Sequence, residues 1–281
     1  MRKPLHDTIL DPDQLSVRFQ PIFRIGDREN QIHSVEALIR GPRGTHFESA
    51  QVLFDYVRRK REERAVDYSC LAAICAEAVH LPPDLRINVN VHAATLGQGP
   101  GFVESFRRRV KKHSLSLDRF TVEIVEHAPT CDIPELSHTI AGLRNAGVRI
   151  ALDDVGLGHS NYRMMLDCHP EYFKLDAYFV HGLRDDSKRR AVVESVVAFG
   201  RALQSSVVAE GAESTEDIAM LADMGVEFVQ CNILCPAVTL EELLMAGIVR
   251  RPSPTLAPSR DVGTETRNAG NLSQGTAAFP S

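Results

Sequence analysis

Residues 149–161 read RIALDDVGLGHSN, an apolar run that ends in two adjacent carboxylates, Asp153 and Asp154, and then in a glycine turn. Neighbouring side chains on a strand point to opposite faces, and two anions side by side repel each other. Such a pair is costly unless opposite charge sits at the end of that strand. Similar polar groups recur in other apolar runs. Glu36 lies in IHSVEALIRG, Asn90 in RINVNVH, and Glu123 and Glu126 in RFTVEIVEH. Lys174 and Asp176 lie in YFKLD, Glu210 in SVVAEG and Gln230 in FVQCNIL. Carboxylates gathered in one pocket raise one another's pKa values and cannot all ionise without compensation. Divalent cations supply it, and carboxylate and amide oxygens are hard ligands that suit Mg2+ or Mn2+. Two metals held at the rim of the strands would account for the tandem aspartates. Taken singly, each residue has an ordinary reading. A lone Glu in a strand is most often a surface residue, and Asp-Asp before Gly is most often a turn or a helix cap. The recurrence on successive apolar runs is what argues for a common site.

The elements that would position these groups alternate. Strand patterns fall at 16–25 and 32–41, joined by the polar turn GDREN, then at 86–92, 119–127, 148–154, 172–176, 206–211 and 228–234. Helical patterns fall at 49–80 (as two helices), 101–114, 133–147, 161–168, 186–204, 214–225 and 239–249. Ser214 and Asp217 have the spacing of a capping box, with Asp in place of Glu. Strands alternating with helices predict an α/β fold with a mainly parallel sheet. The strand count suits a (β/α)8 TIM-like barrel with an antiparallel first strand, because only a short turn links the first strand to the second. An open doubly wound sheet is the alternative. In a barrel the active site lies at the C-terminal ends of the strands, where these polar groups fall. Residues 1–15 read as an N-terminal extension and 16–250 as the folded domain. Residues 251–281, rich in Pro, Ser, Gly and Thr, read as a disordered tail.

The composition, 43% hydrophobic and 25% charged, is that of a soluble globular protein. A net charge of -5 argues against a nucleic-acid polymer as partner, so an anionic substrate must be met by local cations. The runs RRRVKKH (107–113) and RRKREER (58–64) read as solvated helix faces. GLG at 156–158 lacks the third glycine of a dinucleotide fingerprint and follows two acids, which argues against NAD. No apolar run is long enough to cross a bilayer, and the start has no secretory signal. Cysteines at 70, 75, 131, 168, 231 and 235 include no C-x-x-C pair. They read as reduced thiols in a cytoplasmic protein, with Cys231 and Cys235 buried rather than metal-binding. His159 reads as a loop-packing residue beside the metal loop.

The ordered segments QPIF (20–23), VEALIR (35–40), NVNVHA (88–93), EIVE (123–126), DDVGLGHSN (153–161), FKLD (173–176), VVAEGAE (207–213) and VQCNILCP (229–236) together resemble the EAL-domain family of cyclic di-GMP phosphodiesterases. The likeness runs from residue 16 to about 250. It implies hydrolysis of one phosphodiester bond of cyclic di-GMP to linear pGpG, with two divalent cations, Mg2+ or Mn2+, as cofactors. By motif position, Glu36, Asn90, Glu123 and Asp153 would hold one metal. Asp153 and Asp154 would hold the second, with Glu210 contributing directly or through water. Lys174 would orient the attacking water, which makes Lys174, Glu210 and Glu36 the expected catalytic groups. Gln20, Leu38, Arg40 and Gln230 would contact the substrate, and Glu126 and Glu213 would support the loops. The family also implies a homodimer.

The sequence departs from the family at particular places. DDVGLGHSN stands for the usual DDFGTGYSS, with Val155, Leu157, His159 and Asn161 substituted, in the loop that couples metal binding to dimerisation in the family. His92 replaces a common Ser, QCN replaces QGY, and GPRGTHFESAQ replaces the usual segment after Arg40. An EAL module that binds cyclic di-GMP or a protein without turnover is the competing function. A barrel acting on another phosphoester is a third. Every expected ligand is present, which favours catalysis.

Overall fold

Strands β1 (Ser16–Arg24), β2 (Gln31–Arg40), β3 (Arg86–His92), β4 (Phe120–Val125), β5 (Arg149–Val155), β6 (Tyr172–Leu175), β7 (Ser206–Glu210) and β8 (Phe228–Gln230) close into one barrel in chain order. The computed structural model describes residues 8–26, 31–97, 99, 101–125, 133–157 and 162–249. Pairing is parallel from β2 to β8, and β1 is antiparallel to both β2 and β8. This is the closed barrel expected, not the open sheet. The proposed tail, 251–281, falls outside the described residues.

The strands are buried on both faces, which is why they read as near-continuous apolar runs. Outward residues such as Val35, Ile87, Val122 and Leu152 are fully buried beneath the helices. The helices are α1 (Ala50–Lys60), α2 (Glu63–Ala78), α3 (Ala93–Leu96), α4 (Gly101–Lys112), α5 (Ile133–Asn145), α6 (Tyr162–Cys168), α7 (Ala177–Val180), α8 (Ser187–Leu203), α9 (Thr215–Asp223) and α10 (Leu240–Met245). In α4, Phe102, Phe106 and Val110 recur every fourth residue and bury one stripe, leaving Arg107, Arg108, Lys111 and Lys112 in solvent. That is the solvated basic face read from the sequence. The mixed run 58–64 is divided instead. Arg61 takes a left-handed conformation (φ 58°) that ends α1, and α2 starts two residues later.

Three local features differ from the sequence pattern. β8 stops at Gln230, because the chain turns there and the Cys235 N–H donates to the Cys231 carbonyl. α10 ends at Met245, short of residue 249. The Ser214 hydroxyl caps α9 by accepting from the Asp217 N–H at 3.1 Å, but the Asp217 carboxylate accepts from Glu213 N–H rather than closing the box on Ser214.

Two β-bulges interrupt the ladders. Against β6, Leu152 pairs with Phe173 and Val155 with Leu175, so Asp153 and Asp154 both stand opposite Lys174. Asp154 takes φ 52°, a left-handed conformation that Asp tolerates better than most residues. In β2, Ser34 pairs with Ile22 and Ile32 with Phe23, leaving His33 as the extra residue. A bulge re-aims side chains and is common at barrel rims.

Candidate active site

Each strand sends at least one polar side chain to the C-terminal end of the barrel: Gln20, Glu36, Asn90, Glu123, Asp153 with Asp154, Lys174, Glu210 and Gln230, from β1 to β8 in order. Lys174 stands at their centre. Its Nζ lies 3.1 Å from Glu36, 2.7 Å from Glu123, 3.3 Å from Asp153 and 2.7 Å from Glu210. Glu36 also accepts hydrogen bonds from Asn90 Nδ2 at 2.6 Å and Gln230 Nε2 at 2.7 Å. Gln230 Nε2 reaches Gln20 Oε1 at 3.2 Å, and Asn88 Nδ2 donates to Glu123 at 2.6 Å from one layer below.

Burial and charge pull against each other here. Burial would lower the Lys174 pKa, but the surrounding carboxylates, Asp153 foremost, hold it well above its ordinary value. Lys174 is therefore an ammonium at neutral pH. Burial pushes the Glu36 pKa up, but the Lys174 charge and the hydrogen bonds from Gln230 and Asn90 bring it below normal. Burial and repulsion from Glu36 raise Glu123 well above normal. Glu210 is pushed up to about 8, first by burial and then, against the pull of Lys174, by Asp153 and Glu36. Burial, Asp153 and Asp176 raise Asp154 to about 6. The set holds more negative charge than one ammonium offsets, and it keeps protons to compensate.

The donors present suit a hard divalent cation. Asn90 Oδ1 and Gln230 Oε1 are buried acceptors with no hydrogen-bond partner. Leaving such atoms unsatisfied is unfavourable, and a cation would satisfy them together with the adjacent carboxylates. Among the described residues no three His, Cys, Asp or Glu side chains already enclose a common ion position. The Lys174 ammonium sits among these carboxylates instead.

Two cavities flank the centre. One, about 340 Å³, shares Glu36, Asn90, Asp153 and Asp154 with it and extends over Leu38, Phe54 and His92. The other, about 190 Å³, shares Gln20, Glu210 and Gln230 and extends over Cys231 and Asn232. Arg40 lies two residues beyond Leu38 on β2, where its guanidinium donates to the Ile39 carbonyl at 3.0 Å. Glu213 is apart from the cluster, largely exposed, and 3.8 Å from His181 Nε2. Asp176 caps α7 by accepting from Tyr178 N–H at 2.7 Å. Glu126, His159 and Asn161 lie outside the described residues.

Sequence reasoning missed Asp67. This buried carboxylate of α2 accepts from the His92 backbone N–H at 3.1 Å and lies 2.8 Å from His92 Nδ1. It thereby fixes the end of β3 two residues after Asn90. Burial lowers the His92 pKa, but the Asp67 charge and hydrogen bond outweigh it and leave the group raised. The available signal was an acid on an apolar helix stripe, between Val66 and Cys70.

Family and structural comparisons agree with the fold. The EAL domain model matches residues 4–237. Cyclic di-GMP phosphodiesterase NbdA of Pseudomonas aeruginosa is 27% identical over 263 residues, which is 88% of this chain and 32% of NbdA. The chain spans about a third or less of the length of the curated relatives it matches. Among solved structures, the P. aeruginosa MucR phosphodiesterase in complex with cyclic di-GMP is 26% identical with a TM-score of 0.74, covering 85% of this chain and 99% of that one. Klebsiella pneumoniae BlrP1, in a calcium and cyclic di-GMP complex, is also 26% identical with a TM-score of 0.67, covering 82% and 56%. The match of the EAL domain model over most of the chain, on a barrel with this strand order, places the chain in the EAL domain family, related to cyclic di-GMP phosphodiesterases.

Proposed function

We propose that the chain hydrolyses cyclic di-GMP to pGpG with two divalent cations, Mg2+ or Mn2+. The observation that carries this reading is a single acidic centre with a cavity on either side. That arrangement suits a substrate with two base-bearing arms and a phosphodiester between them. Glu36, Asn90, Glu123 and Asp153 would hold one cation, and Asp153, Asp154 and Glu210 the other. Bound there, the cations supply a nucleophilic water at neutral pH and stabilise charge on the phosphoryl oxygens.

The chain's own groups do the rest. Lys174, held as an ammonium, donates a hydrogen bond to the attacking water and orients it. Water adds to one phosphorus, the bond to the 3′ oxygen breaks, and that oxygen gains the proton the water loses, leaving a 5′ phosphate and a 3′ hydroxyl. Gln20 and Gln230 contact the substrate from the β1–β8 side, where Gln230 Oε1 is the acceptor with no hydrogen-bond partner. Leu38 forms an apolar wall for one arm, and Arg40 offers planar donors to phosphate.

The purified chain with cyclic di-GMP and Mg2+ or Mn2+ is expected to yield pGpG, with loss of turnover in Glu36→Ala and on replacing Mg2+ by Ca2+. Tight binding without product would establish a receptor module instead. No binding would point to another ester or a protein partner.

A further inference from the structure

The opposite mouth of the barrel carries a second convergent set of polar groups. Strand alternation from Asn88, Ala151 and Ile22 turns Arg86, Arg149 and Arg24 into this N-terminal mouth. The Arg24 guanidinium lies 5.0 Å over the Phe228 ring. Arg86 reaches Tyr172 Oη at 3.5 Å, and Arg149 donates to the Asp118 carbonyl at 2.9 Å. Among the described residues none of these three guanidinium groups has a carboxylate partner, although the chain as a whole is acidic.

The β2 bulge turns His33 into the same mouth, where its ring packs on Phe228 with centroids 4.1 Å apart and its Nε2 stands 3.0 Å from Tyr172 Oη. Beside it, Ser34 pairs in register with Arg86. Ser34 is 1% exposed, and its hydroxyl has no hydrogen-bond partner. Burial, then Arg86, Arg24 and Arg149, push His33 down to about 4, so it is neutral at pH 7 and adds no charge of its own.

A packing role alone would be met by apolar residues at these inward positions, as Ile22 and Val208 meet it next door. Three guanidinium groups that have no carboxylate partner among the described residues, beside the Ser34 hydroxyl, instead match a tetrahedral oxyanion, which accepts planar bidentate donation. We infer that the N-terminal mouth of the barrel, rimmed by Arg24, Arg86 and Arg149 over His33, Tyr172 and Ser34, binds a phosphate group on the face opposite the acidic centre. The site is independent of the proposed phosphodiesterase activity.

Calorimetric titration of the full chain with inorganic phosphate, in EDTA and at chloride-matched ionic strength, tests this. Saturable one-site binding is expected, with the His33 ring proton signals shifting along the same isotherm. Arg24→Gln and Arg86→Gln, each checked for a native circular dichroism spectrum, should weaken binding by about tenfold or more. Glu36→Gln, at the other mouth, should leave it unchanged. A parallel titration with 5′-GMP identifies the source. Equal or tighter binding assigns the site to phosphate monoesters, and binding of phosphate alone assigns it to the free ion. No saturable binding to the wild-type chain, or equal binding by folded Arg24→Gln and Arg86→Gln, would overturn the inference. His33 signals that stay still while phosphate binds would do the same.

Discussion

Replacing Lys174 by Met removes the one positive charge at the centre of the acidic cluster. In the wild-type chain Nζ is 2.7–3.3 Å from four carboxylates. At an effective dielectric of about 20, each contact attracts by about 5–6 kcal/mol. Burying the ions and crowding the carboxylates offset most of this. The residue left when one partner of a buried ion pair is deleted is about 3–5 kcal/mol. Met fills nearly the same volume, so the loss reports charge rather than a cavity. Guanidinium unfolding in EDTA at pH 8 should show that deficit in Lys174→Met. At pH 5.5 the deficit should shrink, because the carboxylates can take up the missing positive charge as protons. Adding Mn2+ should stabilise the variant more than the wild type, since a cation then restores what the ammonium provided. A deficit below about 1 kcal/mol, unaltered by pH and by Mn2+, would refute the electrostatic account of the cluster.

Metal-free stability should fall as pH rises from about 4 toward 8, because Asp154 at about 6 and Glu210 at about 8 bind protons more tightly folded than unfolded. Unfolding midpoints across that range check the slope, and a flat profile contradicts it. Binding of Mg2+ or Mn2+ should release protons near pH 7, since ligating carboxylates must be ionised; titration in buffers of different ionisation enthalpy counts them. Gly211→Ala should destabilise by about 2–4 kcal/mol and lower turnover, judged from the melting temperature and pGpG formation. The reason is a φ of 72° and an added Cβ only 2.5 Å from Ala177, directly after Glu210. Asp67→Ala should cost about 1–3 kcal/mol by orphaning the buried His92 N–H, and should weaken metal binding through the displaced end of β3. Unchanged metal affinity would show that Asp67 serves stability alone.

The barrel was legible because both faces of its strands are apolar, and because the exceptions were polar in a regular place. NVNV showed its parity in four residues: Asn88 and Asn90 face inward while Val89 and Val91 are buried against helices. The tandem aspartates stood out in the sequence as an acidic pair at a strand end, but not as a bulge. Nothing in the residues before Gly156 says that two positions of β5 will oppose one of β6. Helices α3 and α7, four residues each, are too short for any period to register. α7 is nonetheless what α-carbons of Gly156 and Gly211 approach, since an added Cβ would meet Phe179 at 2.7 Å and Ala177 at 2.5 Å. Asp67 was hidden because its partner lies 25 residues away on another element. The arginine-lined mouth was hidden because Arg24, Arg86 and Arg149 each stand at the edge of a strand, where a charged residue is ordinary.

The reversed direction of β1 has an architectural outcome. Ser16 pairs with Arg40, so β1 begins at the rim where the parallel strands end. Polypeptide upstream of it reaches the barrel on the side of the acidic cluster, lying over α2, where the Ser69 hydroxyl holds the Leu10 carbonyl at 2.7 Å. With eight parallel strands that junction would fall at the far mouth. A segment joined ahead of β1 is thereby delivered to the rim that carries the acidic cluster, with no need for a signal to travel the height of the barrel.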